Sequence, residues 1–76
     1  MLTVQKIDEA AASLEDEEGV PDPERDRFSS AVAQAYSLAV AADADARRLR
    51  QAREDMDPQV RKWFDRLLER VERSAG

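Results

Sequence analysis

Seventeen carboxylates, twelve basic side chains, and no histidine or cysteine set the chemistry open to this chain. Nucleophile–histidine pairs are excluded, as are zinc sites built from the usual ligands. With only two glycines, no glycine-rich loop can cradle a phosphate. Carboxylate pairs remain. Glu15 and Glu18 have the spacing E-x-x-E, and Glu54 and Asp57 the spacing E-x-x-D. Asp22, Glu24 and Asp26 have the alternate spacing that opens a calcium loop, but Arg25 and Arg27 intervene and the required glycine is missing. Acids in the first turn of a helix, where they complement its dipole, explain those three better.

The pairs Glu15/Glu18 and Glu54/Asp57 are similar to the magnesium-binding pattern of all-α nucleoside-triphosphate pyrophosphohydrolases. The resemblance implies carboxylates on adjacent helices holding Mg²⁺ against substrate phosphates, in a metal-dependent phosphohydrolase. Position argues the other way. Both pairs fall at expected helix ends, and Asp57, just before Pro58, is better used as an N-cap. The reading is a non-enzyme that needs neither cofactor nor metal.

The other concentrated charge is "RRLRQAR", which sets Arg47, Arg48, Arg50 and Arg53 within seven residues. Such a patch could contact phosphates or an acidic protein surface. No aromatic residue is interleaved to stack on bases. Charge is also segregated. Residues 1–24 hold eight acids against Lys6, while residues 47–76 hold nine bases against six acids. The ends can complement each other within a chain or between chains. An overall charge of −5 argues against a general nucleic-acid binder.

Helical punctuation positions these residues. Val4, Ile7, Ala11 and Leu14 share one face of a helix expected over 3–18, closed by Gly19 in the left-handed conformation. Asp22-Pro23 and Asp57-Pro58 each read as an N-cap followed by a first helical residue. The helix expected over 58–73 carries a bulky stripe of Val60, Trp63, Phe64, Leu67, Leu68 and Val71. Between the two Asp-Pro signals no Gly or Pro intervenes, so a continuous helix is expected over 23–55, about 45–50 Å long. Its weakest point is Asp43–Asp45, where helix propensity is low.

Along that helix Phe28, Val32, Ala35, Ala39, Ala42, Ala46, Leu49 and Met56 follow a heptad-like spacing, interrupted at Arg53. Tyr36, Leu38 and Val40 widen the apolar surface to the sides. An alanine-rich seam lets helices approach closely, toward the short end of the usual 8–10 Å between axes.

The fold expected is all-α: one small helical domain of three helices, with the long second helix as spine. Thirteen of the apolar residues are alanine, so few bulky side chains are left to form a core. With no disulfide or structural zinc to help, a second copy or another protein is expected to add buried surface. A dimer is favoured. The expected interface comprises Phe28, Val32, Ala35, Tyr36, Ala39, Ala42, Ala46, Leu49, Trp63, Phe64 and Leu67. Arg47, Arg48, Arg50 and Arg53 supply acidic-partner or phosphate contacts. No secretory signal or membrane span is apparent, so a cytoplasmic location is expected. The function expected is a non-enzymatic regulator, adaptor, chaperone or inhibitor of one protein partner, a class that includes phage and mobile-element inhibitors. A nucleic-acid-associated regulator using the arginine patch is the alternative.

Overall fold

A computed structural model describes residues 2–41 and 46–75, with the side chains of Ala46, Ser74 and Ala75 outside the description. The described residues form four α-helices and no strand: α1 (Val4–Glu17), α2 (Arg25–Val40), α3 (Ala46–Asp55) and α4 (Pro58–Ala75). A 3-10 turn, Asp22–Glu24, leads into α2. No helix among the described residues is long and apolar enough to cross a membrane.

The helix ends follow local chemistry. The Thr3 side chain accepts from the Lys6 N–H at 3.2 Å and caps α1. Gly19, at φ +77°, donates its N–H to Leu14 O at 3.1 Å and turns the chain out of α1. The Asp57 carboxylate accepts from the Gln59 N–H at 2.9 Å, which makes it the N-cap of α4 with Pro58 first in the helix. At Asp22-Pro23 the chain differs from the expected cap. The 3-10 turn intervenes, and no side-chain cap bond forms.

The expected continuous helix over 23–55 is corrected. It ends at Val40, where Ala41 is extended at φ −75° and ψ 131°. Asp43–Asp45 lie outside the described residues. The physical reason is closure. The longest dimension of the molecule is 33 Å, too short for an unbroken helix of that length. Ending α2 early lets Leu49, Ala52 and Met56 return to the core shared by the other helices. An unpacked alanine helix would have had propensity alone to hold it straight.

The core lies among α1, α2 and α4. Ile7, Ala10 and Leu14 are buried on α1; Ala11 is half-buried and Val4 exposed. On α4 the buried stripe is Trp63, Phe64, Leu67 and Val71, flanked by half-buried Val60 and Leu68. On α2 the seam is Phe28, Ala31, Ala35 and Leu38, not the expected Phe28, Val32, Ala35 and Ala39. Once the helix is broken, no repeat has to persist beyond Val40. The seam can turn toward Leu38, leaving Val32 and Ala39 half-buried on the flank. Ala31 and Ala35 have no exposed surface, and their small side chains leave room in the core for its bulky members.

Candidate partner-binding surface

Much of the charge is spent inside the chain. The Arg70 guanidinium, only 12% exposed, donates to Glu17 at 2.9 Å and to Glu18 at 2.8 Å, and also bonds Ser13 Oγ. Arg25 pairs with Glu15 at 2.5 Å. These cations offset the acidic run that sits at the unfavourable end of the α1 dipole. Glu24 accepts from Lys62 Nζ at 2.6 Å and from the Trp63 indole N–H at 3.2 Å. The acidic head and basic tail therefore meet within one chain.

Ionisation follows the same contacts. The Ser13 hydroxyl and then Arg70 hold the Glu17 carboxyl below its usual range. The Lys62 ammonium does the same for Glu24. The Tyr36 hydroxyl donates to the Asp8 carboxylate, and that bond raises the phenol's pKa. Asp65 raises that of Arg53.

Three of the four carboxylates in these pairs are engaged by other groups. Glu15 and Glu18 are turned to Arg25 and Arg70, and Asp57 caps α4. Among the described residues no group of three or more acidic side chains is placed to hold an ion.

The apolar residues singled out by spacing separate into two groups. Phe28, Ala35, Trp63, Phe64 and Leu67 are buried in the chain's own core. Val32, Tyr36, Ala39 and Leu49 are half-buried at its edge. Ala42 and the side chain of Ala46 lie outside the described residues. The large apolar side chains left exposed among the described residues, Val4 at 40% and Val40 at 74%, were not part of the expected interface. The bonds Tyr36–Asp8 and Arg25–Glu15 show α1 and α2 running antiparallel, so Val4 and Val40 stand at the same end of that pair. Val40 is one residue past Ala39, off the heptad-like spacing, which is why that spacing placed it to the side of the seam.

α3 is the outlying element. Among the described residues, only Leu49 and Ala52 pack against the core from within it, with Met56 buried just beyond its end. Arg47, Arg48, Arg50 and Arg53 are all exposed. Arg53 forms a two-point ion pair with Asp65, at 2.6 Å and 3.1 Å. Arg61, which spacing gave no reason to choose, donates to Arg53 O at 2.8 Å and Met56 O at 3.1 Å, capping the end of α3. Arg47 and Arg50 have no ion pair among the described residues. A cleft of about 390 Å³ separates α2 from α3, lined by Gln34, Leu38, Arg48 and Asp55 among others.

Compared with protein-family models, with curated proteins and with solved structures, the chain matches none of them.

Proposed function

We propose that this chain is a non-enzymatic protein-binding module: a small regulator, adaptor, chaperone or inhibitor of one protein partner, acting as a dimer. The observation that carries the reading is the division of labour among the helices. α1, α2 and α4 supply nearly all of the core, whereas α3 presents Arg47 and Arg50 outward close in sequence to the exposed Val40. Apolar side chains and arginines together suit a protein surface carrying acids, since arginine and bulky apolar groups dominate interface energetics. Val40 alone gains about 1.5–3 kcal/mol on full burial.

The nucleic-acid reading has less support. The chain carries a net charge of −5, and no aromatic side chain is interleaved among Arg47, Arg48, Arg50 and Arg53 to stack on bases. Sedimentation equilibrium at micromolar concentration tests the dimer, with a mass above 8.6 kDa expected. Affinity capture from the native host tests the partner. One protein should be retained by the wild type and lost by Arg47→Glu/Arg50→Glu, whose melting curve is unchanged. Monomeric mass with salt-sensitive retention of DNA or RNA would favour the alternative.

A further inference from the structure

Where the end of α3 meets the start of α4, Arg50, Arg53, Glu54 and Arg61 line a notch of about 110 Å³. We infer that this notch takes one carboxylate side chain, an Asp or Glu, from the protein that α3 contacts. The inference rests on the protein-binding reading above and deepens it by naming the group recognised.

Two of the three arginines are already held in place. Arg53 spends its Nε and one Nη on Asp65. Arg61 spends its Nε and one Nη on the backbone carbonyls of Arg53 and Met56. A guanidinium has five N–H donors. Each of the two therefore keeps about three of them while these bonds fix its orientation. Ordering a long side chain is one of the main costs of binding, and here that cost falls mostly on folding. Arg50, with no ion pair among the described residues, can close on a bound anion.

Charge selects the ligand. Three arginines with Glu54 and the Asp65 partner of Arg53 leave a net charge of +1 around the notch. That balances a single carboxylate, which pairs with guanidinium through two parallel bonds. A phosphate dianion or a polyphosphate backbone would leave net negative charge in the notch, which a single carboxylate does not.

A titration of the whole protein with blocked tetra-glutamate tests this, read on the guanidinium N–H resonances of Arg50, Arg53 and Arg61. All three should shift and saturate with tetra-glutamate but not with tetra-glutamine. Arg50→Gln should weaken binding about threefold, and Glu54→Gln should tighten it by a similar factor, as expected for exposed charge pairs. Both positions are exposed, so neither change removes core packing. The inference is overturned if the resonances do not saturate, if Arg50→Gln has no effect, or if inorganic phosphate or a short DNA duplex binds the notch more tightly than the peptide. Because the titration needs no partner, an empty notch would overturn this inference alone. The protein-binding reading stands or falls on sedimentation and capture.

Discussion

The ring of Phe28 stands edge-on to that of Trp63, with centroids 5.5 Å apart and planes at 85°. This contact joins the start of α2 to α4, and the Trp63 indole N–H is satisfied on the same side by Glu24. Lys62 and Arg66 sit 5.4 Å and 4.9 Å from the indole ring, so the largest core side chain is also ringed by cations. One buried tryptophan thereby fixes the 3-10 turn, α2 and α4 relative to one another.

Trp63→Ala should therefore cost about 3–5 kcal/mol, the range for a large aromatic removed from a core. Phe28→Leu stays apolar with a smaller loss of volume but loses the ring geometry, and should cost less, with about 0.5–1.5 kcal/mol assigned to the ring pair. Urea unfolding of both variants checks the order. Equal and small effects would mean that the aromatic pair is not the centre of the fold.

The alanines of α2 fall into two kinds. Ala35 has no exposed surface, whereas Ala33 is exposed. Ala35→Leu should overpack the core and destabilise by about 1–3 kcal/mol. Ala33→Leu should be nearly neutral. Thermal melts of the pair decide whether close approach or helix propensity explains the alanine content.

The helical class, α1 with its stop and the start of α4 were legible because caps and periodicity act locally: Gly19, Asp57 and Pro58 each do their work within a few residues. The length of α2 was not legible. No Gly or Pro marks its end, and the break at Ala41 answers to compactness, a property of the whole chain. The same cause displaced the seam from Val32 and Ala39 to Ala31 and Leu38, since a heptad need not persist along a helix of 16 residues. Of the site, the arginine run was visible as composition. Which of its members pair internally depended on Asp65 and Arg61, which lie one helix away.

Acid should loosen the fold through the same ion pairs. Glu17 and Glu24 have carboxyls held below the usual value of 4.5 in the folded state. Groups lowered in this way contribute stability that is present above their unfolded pKa and lost as pH falls through the folded one. The melting temperature should hold steady above about pH 5 and decline below 4.5 as these carboxylates take up protons. Glu17→Gln should flatten the decline by removing one of its sources. A melting temperature that rises on acidification would contradict this assignment.

The most direct test of the protein-binding role is site-specific photo-crosslinking in the native host, with the reactive group placed in turn at Val40, at Arg47 and, as a control, at Glu9 on the outer side of α1. The account expects cross-links from Val40 and Arg47 to protein, either a second copy or one recurrent partner, with the attachment points beside acidic residues and little product from Glu9. Adducts to nucleic acid from Arg47, or the same unselective products from all three positions, would contradict it.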